Sequence, residues 1–136
     1  MNVTKAFVWV DGGARGNPGP AAIGAVVKDE QEQLITSLSR RIGIGTNNQA
    51  EYMALIAALE KAISLGARQV HVKSDSELMV KQLNGNYRVK NANLKRLYQK
   101  VKQLQGSLQE FTITHIPRQQ NQEADRLVNR ALDMPR

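Results

Sequence analysis

Residues Ala6 to Lys28 run AFVWVDGGARGNPGPAAIGAVVK, and the order of apolar runs and breakers in this stretch decides the fold. Ala6–Val10 is too short for a helix and reads as a buried strand, closed by Asp11. Gly12–Pro20 holds four glycines and two prolines, and is expected to be a turn. Ala21–Lys28 is a second strand, and Gln33–Arg41, with its weak alternation, is a third. Connections this short make the three an antiparallel meander.

Outward from that meander, Thr46–Leu65 predicts one long helix. Thr46 and Gln49 form a capping box and Gly66 supplies the stop. Its interior, YMALIAALEKAISL, is apolar on nearly every side, which suits a helix packed at the centre of a domain. Gln69–Ser74 is a fourth strand with Val70 and Val72 on one face. A helix follows from Ser76 to about Asn84, and after a Gly-Asn turn another covers Asn93–Gln105 with Leu94, Leu97, Val101 and Leu104 as its seam. Phe111–Ile116 is a fifth strand. A last helix spans Asn121–Leu132, with Ala124, Leu127, Val128 and Ala131 inward. Right-handed crossovers then place the fourth strand parallel to the first and the fifth parallel to the fourth. The expected fold class is α/β, a five-stranded mixed sheet of three antiparallel and then two parallel strands flanked by helices, in a single domain over residues 1–136.

The chain has no cysteine, so disulfides and thiolate metal sites are excluded, and a reducing cytoplasmic setting is expected. No apolar run approaches a membrane span or a signal h-region. The net charge of +7 is localised. Between Leu78 and Gln109 there is no Asp or Glu, while Lys81, Arg88, Lys90, Lys95, Arg96, Lys100 and Lys102 supply seven positive charges. The remainder balances at 12 acids against 12 bases, so the block points either to a polyanionic partner or to a solvated helix face.

Four carboxylates stand out. Asp11 follows the first strand and Asp75 the fourth; on adjacent parallel strands both emerge at the same carboxyl edge, where open α/β sheets bind ligands. Glu51 lies early in the most apolar helix, in line with Leu55, Ala58 and Ala62, so it faces the core side. Asp125 opens the last helix, in line with Val128 and Leu132. Each alone has an ordinary reading as a turn residue, helix cap or helix-start acid. Together they would repel: two charges about 5 Å apart at an effective dielectric near 20 cost roughly 3 kcal/mol. Hard divalent cations remove that repulsion, and two such ions support phosphodiester hydrolysis. No P-loop, dinucleotide loop, HExxH or nucleophile elbow is present.

The stretches VDGGARGNPGPA, TNNQAEYMALIAAL, SDSELMVKQL and HIPRQQNQEADRL, in this order and spacing, resemble type 1 ribonuclease H from about Val8 to Ala131. The resemblance implies a ribonuclease H-like fold and hydrolysis of the RNA strand of RNA–DNA hybrids, leaving 5′-phosphate and 3′-hydroxyl ends. It implies two Mg2+ ions, with Mn2+ as a substitute. Asp11 would bridge both ions, Asp125 would hold the one that activates water, and Glu51 and Asp75 would hold the other. Gly12, Asn17, Asn47, Asn48 and Glu77 match positions that touch the hybrid in its shallow groove, where 2′-hydroxyls distinguish RNA from DNA. Thr46 matches a grip on a DNA-strand phosphate, and Tyr87, Arg88 and Lys90 would line the DNA channel. Arg118, in preference to His115, is expected to assist turnover, because HIPR looks like a strand end and turn that fix His115 in the sheet; His71 is expected to be structural.

The pattern also departs from the family. Ile44 stands where the phosphate grip often has an arginine. The segment between the two middle helices is too short for a long basic handle, and a hybrid-binding domain ahead of the catalytic one is not expected. A hybrid-binding module without turnover would be expected to lack a carboxylate, and all four stand. The expected partner is the hybrid, with no membrane and no obligatory protein partner, and the chain is expected to be a monomer.

Overall fold

The computed structural model describes residues 3–135, so the outer bounds of the predicted domain, residues 1, 2 and 136, lie outside it. Five strands, β1 (Lys5–Ala14), β2 (Gly19–Lys28), β3 (Leu34–Gly45), β4 (Gln69–Ser74) and β5 (Glu110–His115), form one sheet in the order β3-β2-β1-β4-β5. The pairs β1·β2 and β2·β3 are antiparallel, and β1·β4 and β4·β5 are parallel. The four α-helices are α1 (Asn47–Ser64), α2 (Glu77–Leu83), α3 (Ala92–Gln105) and α4 (Gln122–Asp133). The mixed sheet follows the sequence expectation.

Two boundaries differ from it. The turn expected over Gly12–Pro20 shrinks to residues 15–18, because Gly12, Gly13 and Ala14 pair with Ile23, Ala22 and Ala21. Ladder bonds use only backbone atoms, so tertiary pairing overrides the poor strand propensity of glycine. Likewise β3 runs four residues past Arg41, through an irregularity where Ala22 faces Arg41 and Ala21 faces Gly43. Gly43 there has φ 85°, a left-handed conformation open to glycine. A single 3-10 turn at Arg118–Gln120 was not expected.

The capping box of α1 is present: the Thr46 side chain accepts from the Gln49 N–H, and the Gln49 side chain accepts from the Thr46 N–H. Gly66, at φ 96°, follows its C-cap. Tyr52, Leu55, Ala58, Leu59 and Ala62 of α1 are buried at 0–1% exposure against Val8, Val10, Val70 and Val72 of the sheet, as expected for a central helix. Helix α4 packs over β2, β3 and part of β1. Its far end is clamped by Arg41, whose guanidinium donates to the carbonyls of Ala131, Leu132 and Met134.

Close approach at two glycines brings the helices onto the sheet. A Cβ on Gly12 would lie 2.2 Å from the Ala50 carbonyl carbon of α1, and one on Gly24 would lie 2.4 Å from the Ala124 oxygen of α4. Gly24 is also the cross-strand partner of Asp11. Two missing methyl groups thus bring the segments bearing Glu51 and Asp125 towards Asp11.

Candidate active site

Register places the carboxylates at one edge. The parallel ladder between β1 and β4 ends at Val10↔Ser74, so Asp11 and Asp75 are the next residues on adjacent strands. Asp11 lies inside β1 rather than after it, because the antiparallel pairing with β2 continues beyond the parallel one. Asp75 is not a helix cap: Ser76 is the N-cap of α2 and accepts from Met79 N–H. Glu51, one turn into α1, is turned inward as its apolar companions indicate and is 7% exposed, as is Asp11.

One oxygen each from Asp11, Glu51 and Asp75 lie within 4.8 Å of one another. Gly12 N–H is shared between Asp11 Oδ1 at 3.0 Å and Glu51 Oε1 at 2.9 Å. The other oxygen, Glu51 Oε2, is buried without a hydrogen-bond partner. Such an atom is costly unless a proton or cation occupies it. Burial and the neighbouring acids raise all three carboxyls. Asp11 is pushed up to about 7, chiefly by loss of solvent and then by the charges of Asp75 and Asp125. Glu51 rises well above the usual carboxylate range, through burial and then the charge of Asp11. Asp75 is raised, mainly by burial. Three oxygen donors that are hard to ionise alone suit a hard divalent cation, which favours their charged form.

Asp125, in the first turn of α4, lies outside this trio but lines the same cleft of about 460 Å³. Arg118 lines it too, with Nη2 3.7 Å from Asp125 Oδ1 and its side chain 80% exposed. His115 ends β5, paired with Ser74, and is not among the residues lining the cleft. His71 sits in the sheet, its Nδ1 2.7 Å from Thr112 Oγ1 and its ring stacked on Phe7.

Beside the carboxylates the polar rim is built from backbone and amides. Asn17 Oδ1 accepts from Asn47 N–H, and Asn47 Oδ1 accepts from Ala14 N–H, so the β1–β2 hairpin is tied to the start of α1. Asn47 and Asn48 are exposed, Thr46 is the half-buried cap, and Gly12 lines the cleft. Glu77, also exposed, pairs with Lys81 at 2.7 Å. Farther along, Tyr87, Arg88 and Lys90 line a groove of about 800 Å³ with Lys95 and Tyr98. Ile44 is 68% exposed, with Asn93 and Arg96 of α3 across a small hollow from it.

Two contributors were not anticipated. Arg15 lines the cleft and pairs with Asp133 at 2.6 Å. Asn121 is 1% exposed, and its Nδ2 donates to Val10 O at 2.8 Å, tying the start of α4 to the strand residue before Asp11. A polar residue just before an amphipathic helix was the available signal for Asn121; for Arg15 there was none.

A family model described as reverse transcriptase-like matches residues 9–131. The chain is 41% identical over 129 residues to ribonuclease HI of Halobacterium salinarum, covering 95% of this chain and 65% of that protein. It is 42% identical to a bifunctional protein of Mycobacterium tuberculosis, of whose length it spans 36%. The chain thus spans less than two thirds of these curated relatives. Solved domains match nearly end to end. The N-terminal RNase H domain of the mycobacterial protein superposes with a TM-score of 0.92 at 41% identity, covering 96% of this chain and 100% of that one. LC11-RNase H1, solved in complex with an RNA/DNA hybrid, gives 0.90 at 44% identity, covering 94% and 96%. The fold, the acidic cluster at its sheet edge and these likenesses agree: the chain belongs to the type 1 ribonuclease H family.

Proposed function

We propose that this chain hydrolyses the RNA strand of RNA–DNA hybrids, with water adding to phosphorus and the bond to the 3′-oxygen breaking to leave 5′-phosphate and 3′-hydroxyl ends. The observation that carries this reading is the trio of buried Asp11 and Glu51 with half-buried Asp75, one oxygen of each within 4.8 Å of the others, and Glu51 Oε2 without a partner. Family membership supplies the substrate class, since a relative of 44% identity was solved with an RNA/DNA hybrid.

In this reading Asp11, Glu51, Asp75 and Asp125 would hold two Mg2+ ions, with Mn2+ able to substitute. Such ions lower the pKa of bound water and offset charge on the leaving oxygen. The chain's own residues then orient the hybrid. Gly12, Asn17, Asn47, Asn48 and Glu77 meet its shallow groove, and amide and backbone groups of this kind can read 2′-hydroxyls. Thr46 holds a DNA-strand phosphate, and Tyr87, Arg88 and Lys90 line the path of that strand. Arg118, beside Asp125, assists turnover; His115, fixed at the end of β5, does not. We assign the work to a monomer in the cytoplasm, a setting that the cysteine-free composition suits. Among the described residues no helix is long and apolar enough to cross a membrane.

The test is a gel assay on end-labelled hybrid, duplex RNA and duplex DNA, with Mg2+, Mn2+ or chelator. The expected result is metal-dependent cleavage of the RNA strand of the hybrid. Cleavage that persists in chelator, or an intact hybrid with both ions, refutes the assignment.

A further inference from the structure

The single tryptophan of the chain is not in the core cluster. Along β1, Ala6, Val8 and Val10 are 0–1% exposed on the side that meets α1, whereas Phe7 and Trp9 point to the opposite face and stay half-buried. The run AFVWV reads as a buried strand, yet the side that carries Phe7 and Trp9 is partly open. Parallel register sets His71 beside Phe7 and Lys73 beside Trp9. The ammonium groups of Lys28 and Lys73 lie over the Trp9 ring, 5.1 and 5.3 Å from its centre, and that of Lys5 lies over Phe7 at 5.6 Å; Lys28 also pairs with Glu123 at 3.3 Å. The face continues onto exposed Thr112 and Thr114 of β5.

Beside Trp9, between β2 and the start of α4, is a pocket of about 270 Å³ whose polar lining includes Lys28, Gln119, Gln120, Gln122, Glu123 and Arg126. Gln119 and Gln120 belong to the 3-10 turn whose first residue, Arg118, lines the acidic cleft. One short turn therefore separates this face from the carboxylates.

We propose that this face is a second nucleic-acid site, one that takes an unpaired strand. A base entering over the Trp9 ring takes the place of a lysine ammonium there, and the displaced ammonium meets the neighbouring phosphate, the alternation that a single strand offers. The glutamine amides can bond the edges of an unstacked base, as in single-strand recognition generally. With Lys28 paired to Glu123, Lys5, Lys73 and Arg126 still outnumber Glu110 here, so the net charge matches a polyanion. An acidic peptide would satisfy the lysines but leave the rings and the amide-lined pocket unused. The site requires neither metal nor duplex, so it is independent of the hydrolysis proposed above. Its place beyond the 3-10 turn suits a single-stranded end running off the cleft.

Trp9, as the only tryptophan, reports directly on its own site. Titrating wild-type protein in chelator with a short oligothymidylate should quench its emission, while a blunt RNA–DNA hybrid should not. In anisotropy assays Trp9→Ala should weaken oligothymidylate binding roughly tenfold, the loss of one stacked base. Lys73→Glu should weaken it severalfold and flatten its salt dependence. Cleavage of blunt hybrid should stay at the wild-type level for Lys73→Glu. Absence of quenching in the wild type overturns the proposal whatever the variants do. So does equal quenching by blunt hybrid, which would make the face part of the duplex track. Quenching by oligoaspartate but not oligothymidylate would assign the face to an acidic protein partner instead. A concentration-dependent emission change accompanied by dimer in sedimentation would assign it to self-association.

Discussion

Replacing Asp11 by Asn separates chemistry from stability in a way that geometry alone dictates. In the metal-free protein Asp11 is 7% exposed, and its carboxyl is pushed from 3.8 to about 7. Holding it ionised near pH 8 therefore costs the fold about 4 kcal/mol, at 1.36 kcal/mol per pKa unit. The amide removes the charge but leaves a buried polar group, so about half of that cost should be recovered, or about 2 kcal/mol. For a domain of this size that is a rise in Tm of roughly 6–8 °C. Differential scanning calorimetry in chelator near pH 8 measures it directly. The same variant should gain little further stability from added Mg2+, whereas the wild type should gain it by mass action. Mg2+-dependent cleavage should be lost while binding to a hybrid persists. A Tm in chelator that falls on Asp11→Asn would show that the charge is not confined among other acids, and would refute the assignment of the trio to a cation.

The stability of the metal-free protein should fall as pH rises from about 4 to about 8. The raised folded-state pKa of Asp11 means that its contribution is present below the unfolded value and lost through about 7, and urea titrations in chelator at several pH values would show the slope; saturating Mg2+ should flatten it, because ligation requires the ionised form. Gly12→Ala would set a methyl group 2.2 Å from the Ala50 backbone, so it should cost at least about 1–3 kcal/mol in chemical denaturation and weaken Mg2+ binding in calorimetry, although no ligand atom is removed. Unaltered Mg2+ affinity would show that the approach of α1 does not set the position of Glu51. Arg118→Ala should lower kcat about tenfold with KM little changed in steady-state assays, while His115→Ala stays near wild type; the reverse outcome would transfer the turnover role to His115.

The order of strands and helices was legible because apolar runs, caps and glycine stops acted locally. Thr46 with Gln49 predicted the start of α1 to the residue, and the inward line of Leu55, Ala58 and Ala62 gave the orientation of Glu51. The ends of β1 and β3 were not legible. Gly12, Gly13 and Gly43 look like breakers in isolation, yet they join the ladder because a neighbouring strand supplies the hydrogen bonds. Of the candidate site, Asp11, Glu51 and Asp75 converge, and Asp125 lines the same cleft, close enough to Asp11 to raise its carboxyl. The roles of Arg15 and Asn121 depend on contacts across more than a hundred residues of chain, which spacing along a sequence does not encode.

The grip of Arg41 on the last carbonyls of α4 and the tie of Asn121 to Val10 make that helix a beam fixed at both ends. Asp125 sits eight residues before the helix ends at Asp133, about 12 Å along the axis at 1.5 Å per residue. Were only the far end held, a tilt of about five degrees would swing the carboxylate by about 1 Å, comparable to the whole tolerance of a hard-cation shell; the near tie removes that freedom. Asp125 is therefore framed from both sides, by Asn121 and Gly24 near the cleft and by Arg41 on the edge strand, so that slack at either end would be felt at the carboxylate before the fold came apart.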